Sequence, residues 1–375
     1  MSMPDVRPSL FSSVRPSGRP SGHPSSARPV DRARSPGLSA GHSRRHLRGR
    51  AQRGAAVVTA LLVVTLAVVV VSGMLWRQQV QIRSIENQRL LAQATWIQRA
   101  AVDWARLILR DDQRRSQVDY IGEPWSVPVA ETKLSDFLGA GLRTDQAGEV
   151  SFLSGRIMDA QARFNLTNLV LRSADGNTRA YSVDNTQMVA FQRLLQMLGL
   201  NASLAEPTAQ YMVRAARGTS SNGEPAPRPP ESADDLLAVP GFSPDMVALL
   251  EPFVAVLPES TKVNANTADP EVLAAVMNMP IDKARELVRQ RDRAYFNNTN
   301  DVVNQLSAIA PQVNASTATS LLDVRTHYFF IYGLVRHERA NRLQVSLVFR
   351  ADVLGSGNTT RVVWVHDTDR LPEVR

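Results

Sequence analysis

A chain of 375 residues that is 43% hydrophobic and 21% charged has room for one large domain or two ordinary ones, with enough apolar side chains for a core. The absence of cysteine excludes disulfides, thiolate metal centres and a cysteine nucleophile. The formal charge of +8 would raise nucleic acid as a partner. Residues 1–53, however, hold 11 Arg against 2 Asp, which leaves −1 for everything after Arg53.

The first 53 residues are rich in Ser, Pro, Gly and Arg, bury too little apolar surface to offset chain ordering, and read as disordered. They end in Arg44, Arg45, Arg48, Arg50 and Arg53, next to an uncharged run from Gly54 to Trp76 with 8 Val and 4 Leu. Twenty-three helical residues reach ~34 Å, a bilayer core. The basic cluster on the N-terminal side predicts a cytoplasmic N-terminus and an exported body. A cleaved secretory signal is the competing reading, but its apolar core is usually shorter and ends in a small-x-small site that this run lacks.

From Arg77 to Asp112 there is no Pro or Gly, and Val80, Ile82, Ile85, Leu90, Leu91, Ala94, Ile97, Ala101, Trp104, Leu107 and Ile108 recur mostly at steps of three or four. One helix is predicted over about 56–112, apolar all round in its first half and striped in its second. Strands follow at 126–130 and 149–158, separated by Gly139, Gly141, Asp145 and Gly148. Helices are predicted over Thr186–Leu200 and Leu204–Arg217, then a linker at Gly218–Pro230. Two helix-turn-helix units are expected around Leu236–Leu250 and Glu271–Gln290. Ser232 and Thr267 serve as caps, Pro244 as a first helical residue, and Pro280 ends the helix before it. Runs at 328–332, 343–349 and 361–365, with turns at Glu338–Asn341 and Gly355–Asn358, predict a closing β-meander.

The segment Gln52-Arg53-Gly54-Ala55-Ala56-Val57-Val58-Thr59 resembles a type IV prepilin junction. The resemblance implies cleavage by prepilin peptidase between Gly54 and Ala55 and N-methylation of Ala55. Most of that class has Glu at the fifth mature position, where this sequence has Thr59. An unpaired buried Glu is expensive, so a subunit without it suits a filament end, where one neighbour is missing. The body resembles the type II secretion system protein K family, the large minor pseudopilins. Three segments carry this: Gly155–Leu169 with its Arg163-Phe164-Asn165-Leu166-Thr167-Asn168-Leu169 run, Lys262-Val263-Asn264-Ala265-Asn266-Thr267-Ala268, and Val324-Arg325-Thr326-His327 opening the last strands.

The resemblance and the pattern together predict an α+β fold: a type IV pilin-like long helix packed on an antiparallel sheet, with a large all-α insertion of helix-hairpin-helix or SAM-like type. The expected divisions are 1–54 leader, 55–76 membrane half of the helix, 77–164 amphipathic half and first strands, 165–322 insertion, and 323–375 closing strands. The expected role is a non-enzymatic tip subunit of the secretion pseudopilus in the inner membrane, starting assembly and supporting export of folded proteins. Its expected partners are minor pseudopilins of the I, J and H types and prepilin peptidase, with secreted substrates or the outer-membrane secretin as further contacts.

No catalytic constellation is expected. His327, His337 and His366 fall in or beside strands, without metal-ligand spacing, and read as exposed. The resemblance implies bound calcium without naming ligands. Two oxygen-rich loops are the candidates: Asp175 with Asn177, and Asn297 with Asp301. Neither has EF-hand spacing, and solvated turns are the simpler reading. The alternative function is a membrane-anchored helix-hairpin-helix protein for DNA uptake. It needs Gly-rich hairpins and a basic exported body; the hairpins here are Gly-poor and the body nets −1, so no nucleic acid is expected.

Overall fold

The computed structural model describes residues 52–138, 150–175, 178–218, 225–351 and 360–372. The chain forms two compact units, Met1–Val71 and Ser72–Arg375. The described part of the first is the beginning of helix α1 (Gln52–Arg115). From Ala55 to Val71 every side chain is exposed. A Val-rich run is a mediocre helix former in water, but in lipid a helix satisfies its backbone without outside partners. The apolar window has a mean hydropathy of 2.8, long enough to cross a membrane.

In the second unit α1 becomes amphipathic. Ala94, Gln98, Val102, Ala105 and Leu109 are buried at steps of four and three and form its sheet-facing side. The predicted stripe needs correction. Val80, Ile82, Ile85, Leu91, Trp104 and Leu107 are exposed. Repeated three-residue steps, as in Ala101–Trp104–Leu107, drift around a 3.6-residue helix, so the stripe mixed two faces.

The sheet has five antiparallel strands: β1 (Val129–Lys133) and β2 (Ser151–Asp159) before the insertion, with the short helix α2 (Leu134–Leu138) between them, and three more strands after it. The predicted Gly139, Gly141, Asp145 and Gly148 lie outside the described residues. The insertion begins with β3 (Phe164–Asn165) and the hairpin β4 (Val170–Asp175) and β5 (Thr178–Val183). Helices α3 (Asn185–Met197), α4 (Ala205–Arg217) and α5 (Pro244–Leu250) follow, then β6 (Val254–Ala255) and β7 (Val263–Asn264). Helices α6 (Pro270–Met277), α7 (Ile281–Arg293), α8 (Thr299–Ile309) and α9 (Ala315–Leu321) lead to β8 (Leu322–Asp323). The insertion is therefore not all-α. It contains the β4–β5 hairpin, and at its root β3 pairs with β6 and β7 with β8 in parallel, because backbone groups buried there need partners.

The predicted caps and breaks divide. Ser243 caps α5 ahead of Pro244, and Gly218 ends α4 in the left-handed conformation. Thr267 does not cap α6: Asp269 holds that position and Thr267 points elsewhere. Asn278, at φ 51°, ends α6, so Pro280 starts α7 and does not stop α6. Of the two hairpins weighed for DNA binding, the first holds Gly241 at φ +103°, where an added Cβ would lie 2.7 Å from Leu204. The second buries Met279. Each bend is thus anchored to the insertion's core through Leu204 or Met279.

The chain returns through β9 (Tyr328–His337), β10 (Ala340–Arg350) and β11 (Thr360–Asp367), giving the order β1-β2-β9-β10-β11. The β9–β10 turn is Glu338–Arg339, since His337 pairs with Ala340. The predicted turn at Gly355–Asn358 lies outside the described residues. One sheet face meets α1 through Ile157, Phe329, Ile331 and Val348 against Val102, Ala105 and Leu109. The other carries Tyr328, Phe330, Tyr332 and Leu347 against Ala255 and Leu257 of the insertion. Gly155 and Gly333 pair across β2 and β9. A Cβ on Gly333 would come within 2.5 Å of the Gln98 side chain, so glycine lets α1 lie close on the sheet.

Candidate functional site: a buried polar knot

The three segments that carried the resemblance meet at one place, where the insertion leaves and rejoins the sheet. Asp159 ends β2, and its Oδ1 accepts the Gln161 backbone N–H at 2.7 Å. Its Oδ2 accepts from Asn264 Nδ2 (2.9 Å), Thr267 Oγ1 (2.5 Å) and Thr326 Oγ1 (2.6 Å). One carboxylate thus joins the sheet, the segment before α6 and the segment opening β9. Asn264, with no exposed surface, also donates to the Asp119 carbonyl, and Asn266 exchanges two hydrogen bonds with the Phe296 backbone. Asn165 and Asn168 hold the backbone of residues 257–261 in the same way. Asn and Thr recur in these motifs because short amides and hydroxyls can replace missing backbone partners in a turn.

Below this lies an acidic trio, Asp112 at the end of α1 with Asp119 and Glu123 in the loop that follows; one oxygen of each lies within 4.8 Å of the others. A guanidinium already sits among them. Arg350, on β10, donates through Nη1 to Asp112 at 2.9 Å and through Nη2 to Asp119 and to the Thr326 carbonyl at 3.0 Å, and lies 4.7 Å from the Phe329 ring centroid. Glu123 accepts from Trp125 Nε1 (2.7 Å) and the Tyr120 N–H (3.1 Å). Calcium wants six to eight oxygen ligands; here a guanidinium already stands between Asp112 and Asp119, and Glu123 is held by Trp125 and Tyr120, so the trio does not fit calcium.

One guanidinium beside three carboxylates leaves excess negative charge. Burial pushes the Asp112 carboxyl up to about 6 against the opposing pull of Arg350, and Glu123 up to about 7. Burial raises Asp119 as well, and Asp159 to about 6 despite its hydroxyl donors. The folded protein therefore keeps protons that the unfolded chain releases near pH 4, so stability falls as pH rises from about 4 to about 7 and levels off above. Thermal unfolding is expected to show a protein more stable at pH 5 than at pH 8, by on the order of 2 kcal/mol. Equal stability at both would show that the knot holds no excess proton.

Gly54 and Ala55 occupy the first turn of α1. Thr59, one turn on, donates to the carbonyls of Ala55 and Ala56, each at 3.0 Å. Of the calcium candidates, Asn177 and the Asp175 side chain lie outside what is described. Asn297 and Asp301 form the start of α8: Asp301 Oδ2 accepts the Asn297 N–H, and Asn298 Oδ1 accepts the Asp301 N–H, both at 3.0 Å. His337 corrects the expected exposure. It is 3% exposed and held between Ser151 Oγ (2.7 Å) and Gln93 Oε1 (3.0 Å), bridging β2 to α1. Asp112, Asp119, Glu123 and Arg350 had no sequence signal, being scattered across more than half the chain.

A membrane-length helix that continues as the sheet-bound face of the next unit, with a helical insertion tied to that sheet by buried polar groups, defines an anchored structural protein and shows no catalytic centre among the described residues. Residues 162–259 and 263–325 match the family described as Type II secretion system (T2SS), protein K. The protein K of Pseudomonas aeruginosa is 29% identical over 329 residues, covering 80% of this chain and 90% of that one. That of Aeromonas hydrophila is 26% identical, covering 75% and 87%. The fold is similar to a chain in the crystal structure of the GspK-GspI-GspJ complex from enterotoxigenic Escherichia coli, with a TM-score of 0.57 at 18% identity, over 76% of this chain and 99% of that one. The chain is thus similar, over most of its length, to type II secretion system proteins K.

Proposed function

We propose that this protein sits at the tip of the type II secretion pseudopilus, starts its assembly and supports export of folded proteins across the outer membrane. The observation that carries the tip position is Thr59. Its hydroxyl is satisfied by its own helix through Ala55 and Ala56, so the fifth mature residue asks nothing of a neighbouring subunit's terminal amine. The large insertion, which rests on the sheet face opposite α1, widens the head and leaves no seat for a further subunit.

In this reading α1 holds the protein in the inner membrane in a single pass, N-terminus cytoplasmic and body periplasmic, as the Arg-rich leader favours. Prepilin peptidase cuts between Gly54 and Ala55, Ala55 is methylated, and the pilin-like helix and head then join minor pseudopilins of the I, J and H types. The solved relative's complex with GspI and GspJ supports that choice of partners. N-terminal mass analysis of the protein from cells with and without prepilin peptidase tests this. A methylated Ala55 terminus is expected only where the peptidase is present. Mature protein with Gly54 still joined to Ala55 would overturn the reading.

A further inference from the structure

A cavity of about 520 Å³ opens beside the end of β2. Its apolar walls are Ile121 and Trp125 of the loop after α1, Met158 of β2, Ala248 and Pro252 of the insertion, and Leu371 after β11. A concave, mostly apolar space of this size with a few polar groups is what small-molecule sites look like. Three guanidiniums also line it, those of Arg156, Arg163 and Arg370. Two of them are engaged. Arg163 is 7% exposed, donates through Nη1 to the Glu251 carbonyl at 3.1 Å, and lies 5.0 Å from the Phe330 ring centroid. Arg370 stands 3.9 Å from the Glu251 carboxylate. Arg156 is different. It is half-buried and lies across from Tyr332, on the side of β2 that carries Met158 toward the insertion. Its guanidinium makes no hydrogen bond or ion pair among the described residues.

A guanidinium drawn partly out of water with no acceptor has lost hydration without replacement. A carboxylate supplies the missing acceptors as two parallel hydrogen bonds. The carboxylates already at the cavity do not serve Arg156. The oxygens of Asp159 are taken up by Gln161, Asn264, Thr267 and Thr326. Glu251 and Asp269 line the same walls and would repel a second negative charge. We infer that this cavity binds a small amphipathic monocarboxylate, its carboxylate on Arg156 and its hydrocarbon body against Trp125, Met158 and Leu371. A dianion such as phosphate would meet Glu251 and Asp269, and an uncharged apolar molecule would leave Arg156 unpaired. The site needs no partner subunit, so the inference stands or falls apart from the pseudopilin reading.

The probe is octanoate. Equilibrium dialysis of radiolabelled octanoate against the full chain in an uncharged detergent, with uptake by the detergent alone subtracted, should show saturable one-to-one binding. Octanol, at equal free concentration, should displace it at least about tenfold less well than unlabelled octanoate, the difference a charge-assisted pair makes. Arg156→Met should weaken octanoate binding by about tenfold or more and erase the preference over octanol, with Arg156→Lys recovering part of it. Ala248→Trp, which fills the cavity, should abolish binding. Without octanoate, Arg156→Met should unfold at the parent's midpoint, because its guanidinium holds nothing. Earlier unfolding would show that Arg156 already has a partner and would overturn the inference. So would uptake that does not saturate, equal displacement by octanol, or binding that survives Arg156→Met or Ala248→Trp. Tighter binding of N-acetyl-leucyl-leucine than of octanoate would assign the cavity to a polypeptide terminus and overturn the small-molecule assignment.

Discussion

Arg350→Met is expected to destabilise the protein by about 3–5 kcal/mol, the usual consequence of removing one partner from a buried ion pair. Arg350 is 5% exposed, and its loss leaves Asp112 and Asp119 facing each other in a dry site with Glu123 nearby. Thermal unfolding of the detergent-solubilised protein measures the effect; at ~2–4 °C per kcal/mol for a domain of this size, the midpoint should drop by about 10 °C. Arg350→Lys should recover little, because one ammonium cannot reach Asp112, Asp119 and the Thr326 carbonyl at once while lying on the Phe329 ring. Combining Arg350→Met with Asp112→Asn and Asp119→Asn should restore most of the loss, since no buried charge is then left unmatched. Lowering the pH should rescue the single variant for the same reason. A drop under about 1 kcal/mol for Arg350→Met would mean that the pair is solvated and that the knot does not depend on it.

Asp159→Ala should cost a similar amount, on the order of 3–4 kcal/mol, because it strands several buried donors at once. Thr267, Thr326 and Asn264 all aim at one oxygen, Asn264 and Thr267 from the segment before α6 and Thr326 from the segment opening β9. The loss should appear first as local opening, so limited proteolysis should cut near residues 257–267 before the sheet unfolds. Asp159→Asn, which keeps the shape but turns one acceptor into a donor, should be milder. Thr267→Val added to Asp159→Ala should cost almost nothing more, since the two side chains serve one interaction. Full additivity, or proteolysis unchanged from the parent, would show that the insertion is held by its apolar contacts alone.

Much of this architecture was written in local patterns. The membrane run, α3, α4, α7 and the strands β9–β11 announced themselves by period, punctuation and β-branched content. The Asn-rich segments carried the family resemblance, and the fold gives the reason: their side chains stand in for backbone partners at the junction. Three things were hidden, each for a physical reason. The face of α1 that meets the sheet is set by the strands it touches, and Gln98 belongs to it only because Gly333 clears the space. The β4–β5 hairpin has strands of only six residues inside a stretch whose pattern is otherwise helical, which hides them. Arg350, Asp112, Asp119 and Glu123 become a group only once β10 lies beside the end of α1, and no window of sequence contains that event.

The partner of β2 at the centre of the sheet is β9, almost half the chain downstream. A polypeptide delivered from its N-terminus must therefore hold β1 and β2 unfinished while the whole intervening domain emerges. Pairings between such distant segments form late and slowly. Thr326 and Arg350, near the end of the chain, are what complete the junction around Asp159 and Asp119. The head thus becomes a stable platform only after its final fifty or so residues arrive. A chain cut off short of β9 would keep a sound membrane anchor and a foldable middle, yet have no base on which either could act.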